Sequence, residues 1–93
     1  MGAKSITEIR NRLDSIDEEL CRKIAARMKA VHEVAEFKKS QGMSRKQPER
    51  EQEVIKKARK LAEEMDLNPD AIEEIMRILI KEAHSRESEI LDN

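Results

Sequence analysis

The chain has few of the residues that build tight turns, disulfides or aromatic cores. Its 93 residues include two glycines, two prolines and one aromatic side chain, that of Phe37, which disfavours a sheet fold with many turns. Its single cysteine, Cys21, excludes an internal disulfide and suits a reducing compartment. No apolar run is long enough for a signal peptide or a membrane span. We therefore expect a cytoplasmic protein that does not contact membranes.

The chain also lacks an excess of charge of either sign. Lys and Arg number 19 and Asp and Glu number 20, which gives a formal net charge of -1. A general nucleic-acid binder usually shows a basic excess, so we expect no nucleic-acid partner. Glu, Lys, Arg, Ala, Ile and Leu are abundant instead and recur at helical spacing, which is typical of long helices. The predicted fold class is all-α.

The breaks in the helical pattern predict one domain over residues 1–93 with three helices. Ser5 and Glu8 form a capping box at the start of the first helix. Pro48 suits the first position of the second helix, and Asn68 with Pro69 suits the start of the third. The predicted helices span about residues 6–40, 48–65 and 69–91.

An apolar stripe runs along the first helix and has two cations set into it. Its apolar members recur at the spacing of a buried helix face, and they are Ile6, Ile9, Leu13, Ile16, Leu20, Ile24, Val31 and Val34. The same spacing places Arg27 and Lys38 in the stripe. A buried, unpaired cation is costly, so each needs a carboxylate partner or an anionic ligand. The pattern suggests a site for a small anion.

The second and third helices also carry charges on their predicted inner faces. The apolar members of these faces are Val54, Ala58, Leu61 and Met65 on the second helix and Ile72, Ile75, Met76, Leu79, Ala83 and Ile90 on the third. Arg50, Glu51 and Glu87 continue the same spacing. Each charged side chain could snorkel or pair with a neighbour. Together with Arg27 and Lys38 they could instead form one ligand site, and the pattern leaves both interpretations open.

The first helix is too long for a compact monomer. About 35 residues at about 1.5 Å each give a helix of about 52 Å, whereas a compact domain of this size has a diameter of about 32 Å. The apolar stripe of a projecting helix would lie bare in water unless a second copy covered it. We therefore expect an intertwined helical homodimer of chains with three helices, of which the first is long.

Charged and apolar positions spread along the chain together resemble the all-helical chorismate mutases. The positions that carry the resemblance are Ile9-Arg10, the stretch from Leu13 to Leu20 with Asp17-Glu18, Ala26-Arg27, Val34, Lys38 and Pro48-Glu49-Arg50-Glu51. Nearly the whole chain is covered. The resemblance implies an entwined helical dimer that rearranges chorismate to prephenate in the biosynthesis of phenylalanine and tyrosine.

The resemblance also implies a role for each matching charge. Arg27 is expected to grip a substrate carboxylate, and Lys38 to contact the ether oxygen and a carboxylate. Arg50 is expected to add positive charge, and Glu51 to accept a hydrogen bond from the ring hydroxyl. Arg10 is expected to bind the other carboxylate from the partner subunit.

Three positions depart from the most familiar bacterial pattern. Gln47 stands where an Asp is often found, a position that acts largely through its main chain. Ala83 stands where a Ser can assist carboxylate binding, which removes one hydrogen bond. Glu87 stands where many members have Gln, and we expect it to act as a catalytic group in its protonated form, because an ionised carboxylate repels a developing oxyanion.

The implied reaction is an intramolecular rearrangement that needs no nucleophile, no cofactor and no proton transfer. The protein has to hold a flexible dianion in a folded conformer and to stabilise negative charge on the breaking ether oxygen. Arginine matches a carboxylate through two parallel hydrogen bonds, and a lysine suits the ether oxygen. We expect no cofactor, and no metal, because His32, His84 and Cys21 lack metal-ligand spacing.

The spacing of two arginines gives a separate reason for a shared site. Arg10 and Arg27 lie 17 residues apart, or about 25 Å along one helix. No molecule of the size of chorismate spans that distance. If both side chains bind one ligand, they come from different subunits.

Two other functions remain open from the sequence. An isochorismate-pyruvate lyase of the same fold uses a similar cationic site on a similar dianion, and the loop from Gln41 to Gln47 and Glu87 are where a difference is expected. A non-catalytic helical dimerisation module is the other alternative, in which the inner-face charges pair with each other and no substrate binds.

Overall fold

The computed structural model describes residues 5–92 and shows three helices, α1 (Ile6–Gln41), α2 (Pro48–Glu64) and α3 (Pro69–Leu91). These described residues contain no strand, so the predicted all-α class with a long first helix is confirmed. Each observed helix end lies within one residue of its predicted position. The first four residues and Asn93, which the predicted domain includes, lie outside the described part of the chain.

The chain divides into two compact units whose boundary falls inside α1, between Ala30 and Val31. The first unit holds the N-terminal part of α1, and the second holds the last part of α1 together with α2 and α3. The single domain expected from the sequence stays a prediction.

Local side-chain chemistry accounts for where the helices begin. At the start of α1 the Glu8 amide donates a hydrogen bond to Ser5 Oγ at 3.1 Å, which satisfies an otherwise unpaired helix N–H. Asn68 caps α3 in the same way, its side chain accepting from the Asp70 amide at 2.9 Å. Pro48 begins α2, where its missing N–H costs nothing.

The C-terminus of α1 is closed by backbone hydrogen bonds that turn the chain sharply. Gly42 adopts a φ of 65°, a conformation that favours glycine. The Met43 amide then donates to the Lys38 carbonyl at 2.9 Å, and the Gly42 amide donates to the Lys39 carbonyl at 3.4 Å. This pair of bonds is a Schellman motif, and it starts the loop of residues 42–47 directly above the last turn of α1.

The core of the second unit is built mainly from alanines where α2 packs against α3. The buried apolar side chains are those of Ala35, Ile55, Ala58, Ala62 and Ala83. Small side chains at such contacts allow two helices to approach closely. The predicted inner face was therefore right for Ala58 and Ala83.

Three larger side chains placed on the predicted inner faces are exposed instead. Leu61 is 41% exposed, Met65 63% and Ile75 50%, so their assignment to the buried face was wrong for the single chain. Val54 and Leu61 are seven residues apart, and so are Ile55 and Ala62. Both pairs therefore fit the spacing of a helix face, and apolar spacing alone does not show which of two adjacent faces is buried. The alanine face is the one that α2 buries.

The apolar stripe within the first unit is largely exposed in the single chain. Ile6 is 59% exposed, Leu13 51%, Ile16 54% and Leu20 56%, while Ile9 and Ile24 are half-buried. An apolar row of this length on one helix face is what a protein usually covers with another surface. None of the helices in residues 5–92 has the length and apolarity that a membrane crossing needs.

Glu73, near the start of α3, forms surface ion pairs that should make the stability of the fold depend on pH in acid. Glu73 accepts hydrogen bonds from Arg77 and from Arg59, at 2.8 and 2.9 Å. The bond from Arg77 is the main cause that holds the pKa of Glu73 below its usual 4.5. The ionised carboxylate therefore stabilises the fold at pH above 4.5, and this contribution is lost as the pH falls through 4.5 and the lowered folded-state pKa.

We predict that Glu73→Gln flattens the acid limb of the stability profile. The urea midpoint of the wild type should fall more steeply than that of the variant between pH about 6 and about 3. Glu74→Gln, a change at the exposed neighbouring carboxylate, is the control and should keep the wild-type slope. Parallel profiles for the wild type and Glu73→Gln would show that these ion pairs do not couple to folding.

Candidate active site

Two charges that interrupt the predicted apolar faces form a buried ion pair in the second unit. Lys38 Nζ lies 2.9 Å from Glu87 Oε1, with the two side chains 10% and 7% exposed. Lys38 is in the last turn of α1, where a cation also interacts favourably with the helix dipole. Removal of one partner from a buried pair costs about 3–5 kcal/mol, because the other charge is left uncompensated.

The Lys38 ammonium has a second acceptor in the loop of residues 42–47. Its Nζ donates to the carbonyl oxygen of Arg45 at 2.9 Å. An ammonium has three donors, and within residues 5–92 these two acceptors are the partners of Lys38. One N–H therefore remains for an oxygen of a ligand. A buried cation held in this way is suited to a site of developing negative charge.

A second pair lies one turn earlier on α3. His84 Nε2 and Glu51 Oε2 are 3.1 Å apart, with side chains 33% and 35% exposed. Residues 84 and 87 are separated by about 4.5 Å along a helix axis, so Glu51 and Lys38 both contact the same stretch of α3. We refer to residues 83–88 of α3 as the site segment. Together with its contacts it includes four of the predicted site residues, which are Lys38, Glu51, Ala83 and Glu87.

Two other predicted residues of the second unit, Arg50 and Gln47, have local partners. Arg50 is exposed and pairs with Glu53 on the same helix. The Gln47 side chain donates to the Ser44 carbonyl at 3.1 Å and makes no capping bond to α2. Ala83 is 9% exposed and belongs to the site segment, where it offers no polar atom. Arg50 is therefore next to Glu51 in the sequence, but its guanidinium group pairs with the carboxylate of Glu53.

Arg10 and Arg27 belong to the first unit. Arg10 is exposed and Arg27 is half-buried. Neither forms an ion pair with any residue in the described range 5–92. Their roles in binding substrate carboxylates stay predictions.

Sequence reasoning missed two residues that contact the predicted site. The sequence raises His84 only as a possible metal ligand, whereas it pairs with Glu51. Arg45 was given no role, although it contacts Lys38 through its carbonyl oxygen. Helical spacing from Glu87 could have placed His84 on the same face. A loop residue that acts through its backbone leaves no comparable signal.

No metal-binding cluster accompanies the site. Among residues 5–92, no group of three or more His, Cys, Asp or Glu side chains is placed to hold a metal ion. The chemistry of the site segment and its partners is that of an ammonium, carboxylates and an imidazole. Such groups bind and orient an anionic ligand through charge and hydrogen bonds.

Comparison with known sequences identifies the family. Residues 9–91 match the sequence profile of the chorismate mutase type II family. The chain therefore belongs to the chorismate mutase type II family, a family of isomerases, and the resemblance inferred from its charged positions is confirmed.

Three individual proteins show the range of the similarity. The chain is 30% identical to the chorismate mutase of Methanocaldococcus jannaschii over 89 residues, which cover 96% of this chain and 90% of that protein. It is 34% identical to the T-protein of Enterobacter agglomerans over 84 residues and 29% identical to the T-protein of Haemophilus influenzae over 86 residues. The matches cover 90% and 92% of this chain but only 22% and 23% of those T-proteins.

Proposed function

We propose that this chain rearranges chorismate to prephenate, the step that leads towards phenylalanine and tyrosine. The observation that carries the proposal is the buried Lys38–Glu87 pair, in which Lys38 keeps one donor for a ligand oxygen. Family membership and the similarity to the M. jannaschii chorismate mutase support it. The exposed free thiol of Cys21 suits the reducing cytoplasm, where we place the reaction.

Lys38 is the group that acts on the breaking bond in this proposal. As the ether C–O bond of chorismate breaks, negative charge grows on its oxygen, and the third N–H of Lys38 donates to that oxygen. The ammonium is already held by Glu87 and the Arg45 carbonyl, so little reorganisation is needed at the moment of reaction. Electrostatic preorganisation of this kind is usually the largest single contribution to catalysis.

The other predicted residues hold the substrate in its reactive conformer. Arg27 binds a carboxylate of the substrate, Arg50 adds positive charge near the site, and Glu51 accepts the hydrogen bond of the ring hydroxyl. Arg50 must then leave Glu53, which costs little because that pair is exposed. Glu51 must share its carboxylate with His84, whose contact already orients it. A flexible dianion held in this way reacts as a preorganised conformer.

Two positions contribute less than their counterparts elsewhere in the family. Gln47 uses its side chain to hold Ser44, so we assign its contribution to substrate binding to its main chain. Ala83 supplies no hydroxyl at the site segment. The missing hydrogen bond is worth about 1 kcal/mol net, which the charged groups offset.

We assign the complete site to an intertwined homodimer. The exposed apolar stripe of α1 supports this assembly, since Ile6, Leu13, Ile16 and Leu20 are each more than half exposed in the single chain. A second copy of α1 offers the same apolar row as a cover. Arg10 then reaches the site of the partner subunit, because about 25 Å of helix separates it from Arg27 in its own chain.

Mixed dimers test the shared site. Arg10→Ala and Arg27→Ala should each abolish most activity when they are prepared alone. When the two variants are unfolded and refolded together, half of the dimers are mixed, and each mixed dimer has one intact site. About a quarter of the wild-type activity should therefore return.

A control variant and the recovery of activity together show whether the Arg10 and Arg27 of one site come from one subunit or from two. Arg12→Ala, at an exposed neighbouring arginine, should keep near-normal activity. If Arg10 and Arg27 act within one chain, no combination of the two variants restores an intact site, and the absence of recovery would contradict the shared site.

The substrate is tested by supplying chorismate and isochorismate separately and identifying the products. We expect prephenate from chorismate and no release of pyruvate from isochorismate. Pyruvate release without prephenate would assign the chain to the isochorismate-pyruvate lyase reaction. No turnover of either substrate, with no binding of a bicyclic transition-state mimic, would favour a non-catalytic dimerisation module.

A further inference from the structure

We infer that Arg45 is a positioning residue that sets the direction of the Lys38 ammonium, an inference that rests on the proposed function of Lys38. Arg45 makes contacts with both of its ends. Its carbonyl oxygen accepts a hydrogen bond from Lys38 Nζ at 2.9 Å, and its guanidinium group donates to Ser88 Oγ and lies 3.2 Å from Asp92 Oδ2. One residue therefore connects the catalytic cation to the end of α3.

These contacts tie the two acceptors of Lys38 to a single turn of α3. Glu87 supplies the carboxylate acceptor, and Ser88, the next residue, anchors the guanidinium of Arg45. The carbonyl acceptor of Arg45 is thereby fixed relative to the carboxylate of Glu87. Since two donors of Lys38 have fixed acceptors, the direction of its third N–H is fixed as well.

The loop needs such an anchor because its own backbone supplies little. Residues 42–47 form no regular element, and after the Schellman bonds that end α1 the chain makes few hydrogen bonds until Pro48. The Arg45 side chain is only 31% exposed, whereas its partner Asp92 is 63% exposed. The guanidinium is thus packed on the end of α3, which holds the loop over the Lys38–Glu87 pair.

Loss of the anchor should affect turnover more than substrate binding. With a free loop the Arg45 carbonyl no longer defines one donor of Lys38, and the third N–H loses its fixed direction. Arg27, which binds a substrate carboxylate, and Arg50, which adds positive charge, are unchanged. A misplacement of about 1 Å at a reacting group costs up to about 10²-fold in rate, so we expect Arg45→Ala to lower kcat about tenfold and to change KM less than about twofold.

Kinetic variants test this assignment against a matched control. Lys46→Ala removes an exposed cation from the same loop and should leave kcat unchanged. Arg45→Lys keeps one donor for Ser88 or Asp92 and should recover part of the loss. Ser88→Ala combined with Asp92→Asn should reproduce the effect of Arg45→Ala, and adding Arg45→Ala to that pair should cause little further loss.

A spectroscopic measurement separates this inference from the proposed function. In the wild type the buried Lys38 ammonium should give a slowly exchanging 15N signal, assigned by its absence in a Lys38→Met, Glu87→Met double variant. Arg45→Ala should broaden or shift that signal, and Lys46→Ala should not. This readout decides the positioning role even if the wild type does not turn over chorismate, an outcome that would overturn the proposed function alone. An unchanged ammonium signal and an unchanged kcat in Arg45→Ala would overturn the inference.

Discussion

Lys38→Ala is expected to lower kcat for chorismate by about 10²-fold or more, the size of effect seen when one oxyanion donor is removed. Lys38 Nζ is buried and held by two acceptors, Glu87 Oε1 and the Arg45 carbonyl, each at 2.9 Å. Its remaining N–H is the donor that meets the charge growing on the ether oxygen. Because that charge is absent in the bound substrate, the loss should appear mainly in kcat and less in KM.

Two further variants separate catalysis from folding. Lys38→Ala leaves the Glu87 carboxylate buried without its partner, which is destabilising by about 3–5 kcal/mol. A double variant, Lys38→Met with Glu87→Met, removes both charges and should keep the helical fold while it remains inactive. Lys60→Ala, at an exposed position of α2, is the matched control. Near-normal turnover of Lys38→Ala would refute the role assigned to the ammonium.

The second large effect is expected in the pH profile of Glu87→Gln. In its protonated form Glu87 can still accept a hydrogen bond from Lys38 through one oxygen while its O–H donates to the ether oxygen. If only this form supports the reaction, the wild-type rate falls as the carboxyl group ionises. The amide of a Gln side chain donates a hydrogen bond at every pH, and its carbonyl can still accept from Lys38. The variant should therefore lose the alkaline decline and exceed the wild type at high pH.

The position of Glu87 gives the physical reason for this expectation. Its side chain is 7% exposed and contacts the same ammonium that is assigned to the ether oxygen, so a charge on its carboxyl group acts on the reacting atoms with little screening by water. Glu82→Gln, at an exposed position of α3, serves as the control. A wild-type pH profile in Glu87→Gln would show that protonation of this residue does not limit the rate.

The helix ends could be predicted because their chemistry is local. Ser5 and Asn68 cap helices through bonds to residues two or three positions away, and Pro48 begins a helix through its own ring. The face that α2 buries could not be predicted with the same success. Leu61 and Met65 extend one apolar row, but the contact with α3 selects Ile55 and Ala62, a choice that depends on tertiary packing.

The candidate site likewise contains residues that the sequence pattern indicates and residues whose contacts depend on tertiary packing. Lys38 and Glu87 stood out because each interrupts an apolar face, and they form a buried pair across 49 positions of sequence. His84 and Arg45 had no such signal. The first is a half-exposed imidazole whose importance comes from its partner Glu51, and the second contacts Lys38 through a carbonyl oxygen that every residue type has.

The most direct test of the proposed function is the rate at which the purified chain consumes chorismate. This rate is followed by loss of absorbance across pH and compared with the uncatalysed rearrangement in the same buffer. We predict saturable conversion to prephenate by the wild type, with a rate that declines as the pH rises. We predict a rate at least about 10²-fold lower for the folded Lys38→Met, Glu87→Met variant. Equal rates for these two proteins would contradict the proposal that the buried Lys38–Glu87 pair performs the reaction.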